Sequence, residues 1–329
     1  MSISIRPDIE KKQNRITPEL YSSFAEHLGR CIYSGIWVGE KSSIKNEGGF
    51  RIDVLEALKE LEIPVLRWPG GCFADNYHWI DGIGPREERP RRNNIWWKQP
   101  ENNAFGTDEF MRLCKYIGSE PYLAINVGSG SVQEAMDWLE YCNSKHNTEF
   151  ANLRIKYGSL APYNVVYWGV GNENWGCGGS MTPKYYADLY RQYACYLRQQ
   201  AGDSIKLILC GSNPDLDDWD EIVLKKSSSL YFSLVDYISL HVYTGFGISQ
   251  SEITLEKYHK IISDIDVTKK KIERAIELSK LYSGNKKNIK VILDEWGLWY
   301  KEADVPNGLY QDGLFLDSIF AALNFHLFH

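Results

Sequence analysis

Seven short apolar, β-branched runs, separated by segments of helical period, constrain this chain more than any other feature. The runs are 31–38 (CIYSGIWV), 64–68 (PVLRW), 121–127 (PYLAINV), 164–170 (NVVYWGV), 205–210 (IKLILC), 235–242 (VDYISLHV) and 289–293 (IKVIL). They read as continuously apolar rather than alternating, as strands do when both faces of a parallel sheet are covered. Between them, Val54, Leu55, Leu58 and Leu61 share one face of a helix over 50–61. Ser131 and Glu134 form a capping box ahead of residues 135–141. Thr182-Pro183 supplies an N-cap and a pre-set first helical φ before Tyr186, Leu189, Tyr190, Tyr193 and Leu197. Strand–helix alternation of this kind predicts a parallel α/β architecture.

Two such architectures compete, and the residues beyond the strands choose between them. Asn126, Asn172-Glu173, Ser212-Asn213, His241 with Tyr243, and Asp294-Glu295 each lie at or just past a different run. In a (β/α)8 TIM barrel these tips converge on one mouth, where active sites lie. A doubly wound sheet would spread them along an edge. No G-x-G-x-x-G or P-loop pattern follows a strand, so a nucleotide fold has no support. The expectation is a (β/α)8 barrel with about seven of its eight strand–helix units in this chain. The last helical pattern, Asp312 to His329, closes the sequence.

At 329 residues, with 43% hydrophobic and 24% charged residues, the chain has the make-up of a soluble globular protein with a large core. The net charge of −6 weighs against a nucleic-acid or anionic-membrane partner. The basic cluster over 85–92 reads as a solvated loop with internal pairing. Seven cysteines, at 31, 72, 114, 142, 177, 195 and 210, form no C-x-x-C pair and no zinc spacing, so they are expected as reduced thiols of a cytosolic protein. The N-terminus lacks the apolar stretch of a signal peptide and no window approaches a transmembrane span, which predicts a cytoplasmic location. Eleven Trp, 21 Tyr and 12 Phe suit a carbohydrate ligand, whose apolar faces rest on rings, although most rings serve burial in any fold.

Glu173 follows the fourth run and Glu295 the seventh. Two carboxylates facing one mouth are what glycoside hydrolysis needs: one protonates the leaving oxygen while the other attacks or activates water. Neither metal nor organic cofactor is implied. The blocks SSFAEHLGRCIYSGIW (22–37), RWPGGCFADNYHW (67–79), DGIGPREERP (81–90), WGVGNEN (168–174), DYISLHVY (236–243) and DEWGLWY (294–300), in that order, resemble the family 51 glycoside hydrolases, retaining α-L-arabinofuranosidases on (β/α)8 barrels.

The resemblance implies that Glu173 is the acid/base and Glu295 the nucleophile. It further implies that Asn172 donates to the sugar 2-hydroxyl, that Tyr243 orients Glu295, and that Glu26 and Cys72 line the −1 subsite. Arg67 is then a structural arginine that keeps the nucleophile charged, and His241 part of the site wall. Trp96 and Trp97 are candidate aglycone platforms, and Trp296 and Trp299 are expected to flank the nucleophile and shape the furanose pocket. The function implied is exo-acting release of arabinofuranosyl residues from arabinose-containing oligosaccharides, by a protein often assembled as a hexamer in that family. A β-1,4-endoglucanase or β-xylosidase on the same scaffold, and a non-catalytic fragment, are the alternatives. Family chains continue into an eighth strand, which carries a sugar-contacting Gln, and a C-terminal β-sandwich. Residues 1–20 here resemble the strand segment that joins the sandwich, and 21–329 the barrel, incomplete at its C-terminus.

Overall fold

A computed structural model of the chain describes residues 15–216, 218–228, 234–283 and 288–329. The strand expected at the N-terminus, over SISIRPD, lies outside them. Seven parallel strands form one sheet in chain order: β1 (Ser23–Phe24), β2 (Val65–Trp68), β3 (Glu120–Ile125), β4 (Tyr167–Val170), β5 (Lys206–Cys210), β6 (Tyr237–Thr244) and β7 (Lys290–Leu298). β1 and β7 approach each other within 8 Å between Cα atoms, so the sheet curls into a nearly closed barrel of the (β/α)8 type. Among the described residues the ring helices include α1 (Ile52–Glu60), α2 (Thr107–Ile117), α3 (Val132–Asn143), α4 (Glu149–Lys156), α5 (Pro183–Ala201), α6 (Trp219–Ser227), α7 (Leu255–Ser263), α8 (Ile265–Ser283) and α9 (Phe315–Phe328). None of them is long and apolar enough to cross a membrane.

Alternation along each strand sorts the core into two layers. Val65, Tyr122 and Ile208 point into the barrel, with Tyr167, Tyr237 and Ile292 beside them. Gly169 makes room there, since a Cβ would lie 2.8 Å from the Tyr122 hydroxyl. Leu66, Trp68, Trp168, Val170, Leu207 and Leu209 point outward into the larger core under the helices. α5 starts as its sequence dictates, with the Thr182 hydroxyl accepting from Tyr185 N.

Three expectations change. The 31–38 run is not the first strand: it turns at Ser34 (φ +66°) and, among the described residues, makes only isolated bridges, Tyr33 to Trp37 and Trp37 to Phe50. At Gly35 a Cβ would sit 1.9 Å from the Arg30 carbonyl oxygen, a packing no extended strand permits. Ile32, Ile36 and Trp37 are buried in the outer core instead, and β1 is the two-residue Ser23–Phe24. The capping box at Ser131 is half made. Ser131 accepts from Glu134 N, but the Glu134 carboxylate pairs with His78 Nδ1 at 3.0 Å. The basic cluster is not self-paired. Arg89 is buried on Glu109 and the Gly84 and Asn103 carbonyls, Arg86 bridges Glu40 and Glu109, and Arg92 holds Asp81.

Candidate active site

The mouth is organised around Arg67, whose inward position on β2 follows from alternation with the outward Leu66 and Trp68. Its Nη1 donates to Glu295 Oε1 at 2.8 Å, its Nη2 to Asn172 Oδ1, and its Nε lies 3.8 Å from Asp294 Oδ2. One planar cation thus ties the tips of β2, β4 and β7. Burial works against its charge, but Asp294 and Glu295 outweigh burial and raise its pKa. Beyond it, Gly70 and Gly71 let the chain pass against two carboxylates. A Cβ would lie 2.5 Å from Glu26 Cγ at the first and 3.2 Å from Glu295 Oε1 at the second.

Asp294 and Glu295 are adjacent, yet both reach Arg67, which strict alternation forbids. The β6–β7 register explains it: Leu240 faces Leu293 but His241 faces Glu295, leaving Asp294 as an extra residue in a bulge. Asp294 also accepts from the Tyr122 hydroxyl at 2.8 Å. Glu295 Oε2 accepts from the Tyr243 hydroxyl at 3.0 Å and lies 3.5 Å from His241 Nδ1. Burial alone would raise the Glu295 pKa, but His241, Arg67 and the Tyr243 hydroxyl together hold it below the ordinary carboxylate value.

β4 ends at Val170, and Glu173 follows in a left-handed conformation (φ +43°) uncommon for a residue with a side chain. Its Oε1 lies 2.8 Å from His241 Nδ1. Burial opposes charge on His241, yet Glu295 and Glu173 outweigh it and raise its pKa, and the ring lies between the two side chains. One atom each of Glu173, His241 and Glu295 lie within 4.8 Å of one another, a spacing that could hold a metal ion. Arg67 already brings a positive charge to Glu295.

Glu26 stands across the mouth, its Oε1 accepting from Phe73 N and Trp97 Nε1, each at 2.9 Å. Burial pushes its carboxyl up to about 7, with the Phe73 N–H opposing. Trp97 is thereby fixed to the site, while Trp96 lies half-buried beside it on the turn of the 92–101 hairpin. Trp299 backs Tyr243 edge-to-face at 5.2 Å. The loop after β7 reaches the turn that follows Glu26, where a Cβ on Gly29 would meet Gly308 O at 2.7 Å.

Two site expectations are corrected. Trp296 does not shape the pocket; it points away from Glu295 into α9, edge-on to Phe325 and Phe328 at 5.6 and 5.3 Å. Cys72 is no free thiol but is disulfide-bonded to Cys177, 105 residues away, with Cα atoms 5.5 Å apart. The two sulfurs lie 4.0 and 3.4 Å from Glu173 Oε2. No local spacing marks a pair so distant. Cys31, Cys114, Cys142, Cys195 and Cys210 are free.

The sequence reading also passed over buried polar groups that hold the site. His27 Nδ1 pairs with Glu101 at 2.8 Å while Nε2 accepts from Trp68 Nε1 at 2.9 Å, and Asn94 donates to the His27 carbonyl. This network seats the hairpin that carries Trp97 beside Glu26. Asp75 is the other such group. Both lie inside the quoted sequence blocks, next to residues of evident chemistry, which was the available signal.

The family model described as Alpha-L-arabinofuranosidase 1 domain matches residues 57–258. An intracellular exo-alpha-L-arabinofuranosidase of Bacteroides ovatus is 43% identical over 100% of this chain and 64% of its own length. The α-L-arabinofuranosidase of Thermotoga maritima, in an arabinose complex, superposes with a TM-score of 0.84 at 42% identity, covering 94% of this chain and 61% of that one. The GH51 arabinofuranosidase of Xanthomonas axonopodis pv. citri gives 0.87 at 37% identity, covering 97% and 66%. The chain therefore spans about six tenths of the length of such relatives. With its barrel, its paired carboxylates and this likeness together, the chain belongs to the alpha-L-arabinofuranosidase 1 domain family, within glycoside hydrolase family 51.

Proposed function

We propose that residues 21–329 are the catalytic barrel of a retaining exo-α-L-arabinofuranosidase acting on arabinose-bearing oligosaccharides. The observation that carries this reading is the approach of Glu173 and Glu295 within 4.8 Å at one mouth. Inverting enzymes hold their carboxyls about 6.5–9.5 Å apart to seat a water, whereas retaining ones hold them at about 5 Å. Glu295 attacks the anomeric carbon as an ionised carboxylate while Glu173 protonates the departing oxygen. Glu173 then takes a proton from water, which breaks the glycosyl–Glu295 ester. Asn172 has its Oδ1 occupied by Arg67, which leaves Nδ2 to donate to the sugar 2-hydroxyl. Glu26 accepts from a second hydroxyl. The names of the relatives support the arabinofuranosyl group, and the Bacteroides protein's being called intracellular supports a cytoplasmic location.

Hydrolysis of an aryl α-L-arabinofuranoside by this chain, beside its Glu295→Ala variant, tests the reading. Activity lost in the variant supports it; an inactive wild type overturns it for this chain. Assembly into a homo-oligomer, implied by the resemblance, is read from the mass of the same preparation in solution.

A further inference from the structure

We propose that Asp75 is the positioning residue that aims Glu173, an inference that rests on the acid/base reading of Glu173. Asp75 lies in the short turn Cys72–Asn76 just beyond β2 and is buried. Its Oδ1 accepts from Val127 N at 2.6 Å and Gly128 N at 2.7 Å, past the tip of β3. Its Oδ2 accepts from Asn172 N at 2.9 Å and Asn174 Nδ2 at 3.4 Å, past the tip of β4. One carboxylate therefore fastens the ends of three barrel strands, and the two residues it grips on the β4 side flank Glu173. Burial pushes its carboxyl up to about 7, opposed by the Gly128, Asn172 and Val127 N–H groups and by Arg67.

The turn needs this grip. Gly171 and Glu173 both have positive φ, and for Glu173 that strained conformation persists only where its surroundings over-determine it. Gly176 N and Gly178 N both donate to the Glu173 carbonyl, at 2.7 and 3.0 Å. Gly178 packs so tightly into the knot that a Cβ would lie 2.6 Å from Asp75 Oδ2 and 2.0 Å from the Asn172 carbonyl oxygen. An amide in place of the carboxylate would aim its own N–H at one of these buried donors, and a buried N–H without an acceptor is destabilising. Four donors converge on Asp75, which selects a side chain with two acceptor oxygens. It touches no substrate; it sets where the Glu173 carboxyl meets the leaving oxygen.

That role has a signature that general loss of structure lacks. Proton donation matters in proportion to the basicity of the leaving group. In Asp75→Asn, kcat/KM for an arabinoside with a sugar leaving group should fall about 100-fold, and for the 2,4-dinitrophenyl arabinoside less than about 5-fold. The gentler Asn174→Ala should fall in the same unequal way by about 5-fold. Equal losses on both substrates would overturn the proposal. Amide hydrogen exchange decides it independently of turnover: faster exchange at Val127, Gly128 and Asn172 in either variant supports the grip, and unchanged exchange overturns it. A wild type that cleaves neither substrate would sink the arabinofuranosidase reading while leaving the exchange result to judge Asp75.

Discussion

Glu295 lies inside a strand, and both its oxygens are engaged before any sugar arrives: Oε1 by Arg67 and Oε2 by Tyr243. Glu173 lies in a glycine-rich loop, with Oε1 on His241 and Oε2 facing the Cys72–Cys177 sulfurs. Its side chain is 18% exposed against 7% for Glu295. The contrast matches the division of labour proposed for them. A nucleophile has to stay ionised and still, which cations and hydroxyl donors on rigid strands accomplish. An acid/base group has to lose and regain a proton in each cycle, which requires contact with water and a neighbour that tolerates both states. The two carboxylates differ because their surroundings differ.

The comparison breaks most visibly at Glu295. Glu295→Ala should lower kcat about 10⁴-fold or more on every substrate, whatever the leaving group. Glu173→Ala should cost about 10³-fold with a sugar leaving group and far less with dinitrophenol, with azide restoring the rate of the second step. If both variants lose activity uniformly, the two seats are not functionally distinct. Arg67→Lys keeps the charge but cannot span Glu295, Asn172 and Asp294 together, and should cost about 100-fold in kcat with a lower Tm. An unchanged rate there would show that Tyr243 and His241 suffice to hold Glu295.

The remaining effect is in stability, at Glu26. Its carboxyl stands at about 7 in the fold against an ordinary 4.5, because burial opposes its charge. A raised acid favours the fold most below pH 4.5 and loses that contribution as pH rises toward 7. Glu26→Gln keeps an Oε1 for Phe73 N and Trp97 Nε1, so it should stabilise the protein at pH 8 by up to about 3 kcal/mol and hardly at pH 4.5. Melting curves of both proteins at the two pH values check the sign. The same variant should weaken substrate binding, the trade-off expected where a site holds a charge the fold does not favour.

Much of this site was legible because barrel logic places polar residues past apolar strands at a common mouth. Glu173, Glu295, Asn172, Tyr243 and His241 come together as that logic requires, and Arg67 and Glu26, implied by the family resemblance alone, join them. What escaped had no local pattern. β1 is two residues long and shows no apolar run, whereas the convincing run at 31–38 is bent by Ser34-Gly35. The bulge at Asp294 is a property of pairing with β6, invisible in β7 alone. Trp296 is different: a strand period of two already sends it away from the face that Glu295 occupies. The Cys72–Cys177 bond and the grip of Asp75 join segments about a hundred residues apart, and only the closed barrel makes them neighbours.

Arg67 and Glu295 are separated by 228 positions, and this has a consequence for the order of folding. During synthesis at about 5–20 residues per second, β2 is complete roughly 10 to 50 s before its carboxylate partners emerge. Until then Arg67 has no ion-pair partner from β7, and a barrel that closed early would bury an uncompensated cation. The early strands are therefore discouraged from sealing around one another, and the mouth sets as a unit when β7 docks. Catalytic geometry and the docking of β7 become a single late event, joined through one guanidinium.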